Sequence, residues 1–164
     1  MGIYYFDANA VVKYYILEPG STWIREIVNA PEQKNLIFIS DATITEYAAA
    51  LSVLFRTGRI RRSTRDGAFR AFIHHTTTGL FRTLPLGTED FWTAAQLTQA
   101  YPLKGYDAVQ LAIALRQTTT LSRKGVSMIF TSGDKALINA ARGENLLAEN
   151  PFDHVSPDDL AYQA

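Results

Sequence analysis

Short segments that are apolar at almost every position constrain the fold of this chain most strongly. Residues Ile3–Phe6 form one such segment and residues 36–39 form another, and a helical spacing of apolar residues follows each of them. A strand that is apolar on both faces is typical of a parallel sheet covered by helices on both sides. Because further strand and helix patterns alternate along the chain, we predict an α/β fold with a central, mostly parallel sheet flanked by helices.

The other elements are predicted from apolar periodicity and from residues that start or stop helices. They are a helix over 10–18, a helix over 43–55, a helix that opens near Ser63, an edge strand over 81–86, a helix over 88–101, a helix from 106, a strand over 127–131 and a helix over 135–142. Ser21 is predicted to cap a second short helix, and Pro31 to lie in a turn. The tail from about residue 151 is predicted to be irregular and acidic.

Length and composition indicate one domain without disulfides or membrane spans. With 164 residues, of which 47% are hydrophobic and 20% charged, we expect a single globular domain over 1–164. The absence of cysteine excludes disulfides, thiolate metal sites and a cysteine nucleophile. Neither a signal-peptide pattern nor an apolar run of about 18 residues occurs, so we expect a cytoplasmic protein that does not enter a membrane. The formal net charge is zero, so any binding of nucleic acid must depend on local clusters of charge.

Four acidic residues lie where a predicted strand ends or a predicted helix begins: Asp7, Glu46, Asp107 and Asp134. In a parallel α/β sheet, these strand ends and helix starts gather at one edge, where ligands bind. Glu46 and Asp107 also border the apolar stripes of their helices, so they do not occupy the positions of merely solubilising charges. We therefore predict that the four carboxylates converge.

Charge repulsion indicates what these acids do together. Two carboxylates 4 Å apart repel by about 4 kcal/mol at an effective dielectric constant near 20, and Lys135 is the nearest basic residue that the sequence offers. Ligation by carboxylate oxygens alone suits Mg²⁺, and also Mn²⁺. Zinc is a poor fit because cysteine is absent and the adjacent His74 and His75 diverge on a helix. Each acid taken singly is better explained as a helix cap, but the four together predict a metal site.

The acids stand in an ordered set of motifs. The more specific motifs are Tyr106-Asp107-Ala108-x-x-Leu111-Ala112 and Ser132-x-Asp134-x-x-Leu137, and the others are Asp7-x-Asn9 and Thr43-Ile44-Thr45-Glu46. This set resembles the PIN-domain ribonucleases, and among them the VapC-type toxins of bacterial toxin–antitoxin pairs. The similarity extends from Tyr4 to about Leu147. Asn9 departs from the serine or threonine that members often carry, although asparagine is still able to orient a carboxylate or a water molecule.

The resemblance implies a PIN-like α/β/α sandwich and an Mg²⁺-dependent endoribonuclease that hydrolyses RNA phosphodiester bonds. It also implies a homodimer and a cognate antitoxin whose tail occupies the acidic site. All four acids are expected to be catalytic and metal-binding, with Asp7 and Asp107 as direct ligands and Glu46 and Asp134 completing the site or orienting water. The residues expected to support these ligands by hydrogen bonds are Asn9 and Ser132.

A cluster of arginines follows the second motif. Its members are Arg56, Arg59, Arg61, Arg62 and Arg65. Arginines in such a cluster are able to bind RNA phosphates, and we single out the first four for this role. The same pattern is equally typical of a solvated turn between helices.

Two other functions remain open from the residues alone. One is an aspartyl-nucleophile phosphatase of the haloacid-dehalogenase kind, which also places an aspartate after its first strand. Such enzymes usually carry a second aspartate two residues later, where this chain has Asn9. The other is a non-catalytic module that binds RNA or protein and keeps its acids only as helix caps.

Overall fold

The structure, a computed structural model, describes residues 1–30 and 34–160, so Pro31 and the last four residues of the tail lie outside it. The strands are β1 Ile3–Phe6, β2 Leu36–Ser40, β3 Phe81–Leu84, β4 Ile129–Thr131 and β5 Leu147–Glu149. They form one sheet in the order β3-β2-β1-β4-β5, and every neighbouring pair is parallel. The predicted parallel sheet is confirmed, as is the edge position of the strand that precedes Pro85.

Helices cover both faces of the sheet. They are α1 Ala8–Tyr15, α2 Ser21–Asn29, α3 Asp41–Arg56, α4 Arg62–Thr77, α5 Thr88–Ala100, α6 Gly105–Ser122, α7 Lys135–Gly143 and α8 Pro157–Leu160. The adjacent residues Tyr5 and Phe6 belong to two separate cores, as the alternation of side chains along a strand requires. Tyr5 packs mainly with α5, α6 and α7, and Phe6 with α1 to α4. The fold is the α/β/α sandwich expected from the sequence.

The order of the strands reverses at β1. This strand pairs with β2 on one side and with β4 on the other, so that Tyr5 lies between Phe38 and Phe130. The chain leaves β1 toward one edge of the sheet and later returns to build the other half. In α/β proteins, ligands bind beside the carboxyl ends of the strands at this kind of switch point. Asp7 follows β1 at that position.

The helices that follow β1 and β2 begin with polar caps. The Oδ1 atom of Asp7 accepts the N–H of Ala10 at 2.8 Å and so caps α1. Ser40 caps α3 in a reciprocal arrangement with Thr43, at 3.3 and 3.2 Å. The third helix therefore begins two residues earlier than predicted, and Glu46 lies in its second turn rather than its first.

The N-terminus of α2 is held by the tail, not by Ser21 as predicted. The Ser21 hydroxyl donates to the carbonyl of Ile16 at 3.0 Å, within the preceding turn. Buried Asp159 accepts the N–H groups of Gly20 and Thr22 at 2.9 and 2.8 Å. A side chain about 140 residues away in sequence thus does what a local cap was expected to do.

Residues 147–160 differ from their prediction. The sequence pattern predicted an irregular tail from about residue 151 and no strand before it, but the structure contains β5, a 3₁₀ helix over Pro151–His154 and α8. These elements span only three or four residues each, too few for a helical or strand period to be recognised. In the described ranges, no helix combines the length and the apolar character that crossing a bilayer requires.

Candidate functional site

A cavity of about 400 Å³ opens at the carboxyl ends of the strands. Four acids from separate parts of the chain and one amide predicted to support them line it: Asp7, Asn9, Glu46, Asp107 and Asp134. The predicted convergence of the acids is thus present in the structure. Ser132, the remaining predicted support, lies fully buried behind the cavity.

Asp7 is the most buried of the four acids, with 6% of its surface exposed. Its Oδ2 atom accepts the hydroxyl of Ser132 at 2.5 Å, while Oδ1 caps α1. Burial first, and then the charges of Glu46 and Asp107, raise the pKa of Asp7 to about 7 against the opposing effect of these hydrogen bonds. The carboxylate is thus held through both of its oxygens.

Ser132 ties two of the acids together. Its hydroxyl donates to Asp7 and accepts the backbone N–H of Asp134 at 3.0 Å. The intervening Gly133 lies close to Asn9, because a Cβ atom there would come well within contact distance of the side-chain oxygen of Asn9. The short segment after β4 therefore contains Ser132 and lies close to Asn9, the two predicted supporting residues.

Asp107, in the first turn of α6, and Asp134, which precedes α7, both line the cavity. Burial raises the pKa of Asp107, and the charge of Asp134 raises it too, while Lys104 opposes the shift. Asp134 caps α7, since its Oδ1 accepts the N–H groups of Ala136 and Leu137 at 2.7 and 3.0 Å. Two of the four acids thus cap helices and also line the cavity.

Glu46 is held by a residue that the sequence analysis missed. Gln110 lines the same cavity and donates a hydrogen bond from Nε2 to Oε2 of Glu46. Burial raises the pKa of Glu46, and the charge of Asp107 adds to this effect. The sequence did contain one signal that could have pointed to Gln110: it follows Asp107 by three residues and so lies on the same face of α6.

The basic residues that lie near the cavity are not the one that the sequence suggested. Lys135 is exposed and does not line the cavity. Instead, Glu18 lines it and pairs with buried Lys13 at 3.4 Å and with Arg59 at 3.2 Å. The ring of Phe152 lies 4.0 Å from the Lys13 ammonium group. Besides the acids, the cavity therefore has a set of paired charges that sequence spacing did not reveal.

The arginine cluster does not converge on the cavity. Of its members, Arg59 lines the cavity. Arg62 and Arg65 lie against the ring of Phe55, with the guanidinium carbon 5.8 and 4.7 Å from its centre. Arg56 and Arg61 are exposed elsewhere. The structure thus separates Arg59 from the other three arginines that were singled out.

The donor set fits a hard divalent cation in chemistry and charge. It offers carboxylate oxygens without cysteine or histidine, and burial first, then the charges of neighbouring carboxylates, raise the pKa of three of its acids. Among residues 1–30 and 34–160, no three acidic or histidine side chains are already close enough to hold one ion jointly. A cation in this cavity would therefore draw at least one carboxylate inward.

The sequence model of the PIN domain matches residues 4–143, most of the chain. This protein belongs to the PIN domain family. Members of the family are generally nucleases, so the chain is placed among hydrolases of nucleic acids, and the resemblance inferred from its motifs is confirmed at that level. The match leaves the phosphatase alternative without support.

Solved structures share the fold at low sequence identity. VapBC2 from Rickettsia felis, solved with a bound DNA fragment from its promoter, is 15% identical, with a TM-score of 0.58. The match covers 90% of this chain and 98% of that chain. FitAcB from Neisseria gonorrhoeae is 16% identical, with a TM-score of 0.54 and coverage of 91% and 98%. PAE2754 from Pyrobaculum aerophilum is 17% identical, with a TM-score of 0.58 and coverage of 90% and 83%. A search of curated proteins gives no match.

Proposed function

We propose that this PIN domain is an Mg²⁺-dependent endoribonuclease and the toxin of a toxin–antitoxin pair. The observation that carries the proposal is the convergence of four acids from four different segments on one cavity at the switch point of the sheet. Helix capping alone explains Asp7 and Asp134, but it does not explain why Glu46 and Asp107 face the same cavity. RNA hydrolysis at a carboxylate-held cation explains all four.

The residues proposed to hold the cation are the four acids: Asp7, Glu46, Asp107 and Asp134. When bound there, Mg²⁺, or Mn²⁺ in its place, lowers the pKa of a water molecule and balances negative charge on the scissile phosphate. Ser132 and the N–H of Ala10 keep the Asp7 carboxylate oriented, and Asn9 faces the same space. Arg59 lines the same cavity and is placed to contact an RNA phosphate there.

The test of this function compares two nucleic acids and two metal conditions. The purified protein is stripped of metal with a chelator and incubated with single-stranded RNA and with DNA of the same sequence, before and after Mg²⁺ is restored. We expect internal cleavage of the RNA only after Mg²⁺ is added, with 5′-phosphate ends on the products. RNA that is bound but never cut would instead support the non-catalytic binding module, and cleavage that persists in the chelator would contradict the proposal.

An antitoxin is proposed as the partner. The names VapBC2 and FitAcB denote two-component assemblies, and the sequence motifs resemble those of VapC-type toxins. An acidic cavity of this size suits a basic segment of a partner chain, and we propose the cytoplasm as the location because the proposed substrate is RNA. We expect the product of a small neighbouring open reading frame to bind the protein and to inhibit its cleavage of RNA; binding elsewhere without inhibition would contradict this role.

A second copy of the chain is proposed to cover an apolar groove between α5 and α6. The groove has a volume of about 430 Å³, and two of its aromatic side chains, Phe91 and Tyr106, are 56% and 55% exposed. Exposed aromatics in one patch are typical of a protein interface. We expect light scattering to give about twice the chain mass of 18.3 kDa for the wild type and the single mass for Phe91→Glu. A wild-type monomer would contradict the homodimer.

A further inference from the structure

A buried amide joins the central sheet to one of the cavity acids. Gln110 on α6 is only 1% exposed, although glutamine is normally a surface residue. Burying an amide is costly unless its polar atoms are hydrogen-bonded. In Gln110 both the oxygen and the nitrogen have partners, so the cost is offset by a specific network.

The partners fix which way the amide faces. Its Oε1 atom accepts the phenol of Tyr5 at 2.5 Å and the hydroxyl of Ser40 at 2.9 Å. Its Nε2 atom donates to Thr43 at 3.0 Å and to the carboxylate of Glu46. The opposite orientation would place the amide oxygen against a carboxylate oxygen, and neither atom has a hydrogen to donate. The nitrogen must therefore face Glu46.

The hydroxyl groups on the other side of the amide are themselves immobile. Tyr5 is completely buried in β1, and its ring stacks on Phe130 at a centroid distance of 5.6 Å. Ser40 ends β2 and is fixed by its reciprocal cap with Thr43. The amide of Gln110 is thus anchored to β1 and β2, and it links these strands to Glu46.

We propose that Gln110 is a positioning residue of the metal site: it holds one oxygen of Glu46 and leaves the other for the cation. Among the described residues, Oε2 of Glu46 receives the hydrogen bond from Gln110, and Oε1 receives none from a side chain or main-chain donor. The inference rests on the proposed function, since it concerns a cation in the cavity. This positioning role differs from a purely structural one, in which Gln110 would serve only to accept hydrogen bonds from Tyr5 and Ser40.

A double-mutant cycle on cation binding separates these two roles. Mn²⁺ binding is measured by titration, without RNA, for the wild type, Gln110→Met, Glu46→Gln and the double variant. Gln110→Met keeps the volume of the side chain but has no N–H to donate. We expect it to weaken Mn²⁺ binding about tenfold, the usual effect of losing a partner of a metal ligand. In the Glu46→Gln background, the same change is expected to have almost no further effect, because the carboxylate that Gln110 positions is gone.

The outcomes distinguish the inference from the function on which it rests. Equal losses in both backgrounds, or no loss in either, overturn the positioning role while leaving the metal site intact. A wild type that binds no Mn²⁺ overturns the metal site and the inference together. Gln96→Met, an exposed change of the same kind on α5, is expected to bind as the wild type does.

A second variant covers the case in which Gln110→Met does not fold. Tyr5→Phe removes one of the two hydroxyls that fix the amide and keeps the stacked ring. We expect a smaller loss of Mn²⁺ affinity, about threefold, which disappears in the Glu46→Gln background. Thermal unfolding of each variant confirms that the proteins compared are folded. A loss of the same size in both backgrounds would overturn the proposal here as well.

Discussion

At the scale of single residues, helix capping and site formation are not alternatives in this protein. Asp7 caps α1 with one carboxylate oxygen and accepts the hydroxyl of Ser132 with the other, while it lines the cavity. Asp134 likewise caps α7 and lines the cavity. Because the N-terminus of a helix follows each strand, the carboxylate that begins the helix is delivered to the edge of the sheet by the same geometry.

The pKa of Asp7 leads to a prediction about stability in the absence of metal. Burial first, then the charges of Glu46 and Asp107, raises the pKa of Asp7 from 3.8 to about 7, so the folded state binds a proton that the unfolded state has lost in this pH range. The contribution of this group to the free energy of unfolding therefore decreases as the pH rises from about 4 to 7. We expect Asp7→Asn to be more stable than the wild type at pH 8, by up to about 4 kcal/mol, and similar to it near pH 4.

Denaturant unfolding in a chelator at the two pH values measures this difference. Exposed Asp158→Asn is the matched control and is expected to change stability little at either pH. A stability difference between Asp7→Asn and the wild type that is the same at both pH values would contradict the assigned burial and repulsion.

The arginines lead to a prediction about RNA binding. Arg59 lines the cavity and Arg56 does not, although both are exposed. In an Asp7→Asn background, which prevents cleavage, Arg59→Gln is expected to lower the slope of log affinity against log salt by about 0.7, the value for one phosphate contact on a single strand. Arg56→Gln is expected to leave the slope unchanged. Equal effects of the two changes would mean that the arginines act as a general basic surface.

Spacing and motifs predicted that the four acids belong to one site, because each acid lies near the end of a strand pattern or the start of a helix pattern in the sequence. Lys13, Glu18 and Gln110 have no such pattern of their own. Glu18 meets Arg59 across 41 positions of sequence, and Gln110 meets Glu46 across 64. Such contacts depend on how α1, α3 and α6 pack, which periodicity within one element does not determine.

At the scale of secondary structure, elements with a clear apolar pattern were predicted, including the short strands β1 and β2, whereas the short elements near the C-terminal end were not. The helices with many turns, such as α3 and α6, show enough apolar repeats to be recognised, whereas β5 and α8 are too short to show any. The tail helix owes its position to Asp159, whose carboxylate accepts hydrogen bonds from Gly20, Thr22 and Ser156.

This contact leads to a prediction about the tail. Asp159→Ala leaves the N–H groups of Gly20 and Thr22 without their partner, so we expect a loss of about 2–3 kcal/mol in the free energy of unfolding. Faster hydrogen exchange at Thr22 is expected as well, because α2 loses its cap. Asp158→Ala, the exposed neighbour, is expected to have neither effect. Unchanged exchange at Thr22 in Asp159→Ala would show that the tail does not hold α2.

At the scale of the whole molecule, the strand order brings the site together. With β1 at the centre and β4 beside it, Asp7 and Asp134 become neighbours although 126 residues separate them, and α3 and α6 add Glu46 and Asp107. The sequence predicted a parallel sheet with acids at one edge, but the order of its strands became known only from the structure.

The activity of Asp7→Asn tests the central claim most directly. Asparagine caps a helix about as well as aspartate but is a poor ligand for Mg²⁺. We therefore expect a folded variant whose Mg²⁺-dependent cleavage of single-stranded RNA is reduced about a thousandfold or more, equivalent to several kcal/mol of transition-state stabilisation. Cleavage by Asp7→Asn at the rate of the wild type would show that the acids at this cavity serve as helix caps and not as the nuclease site.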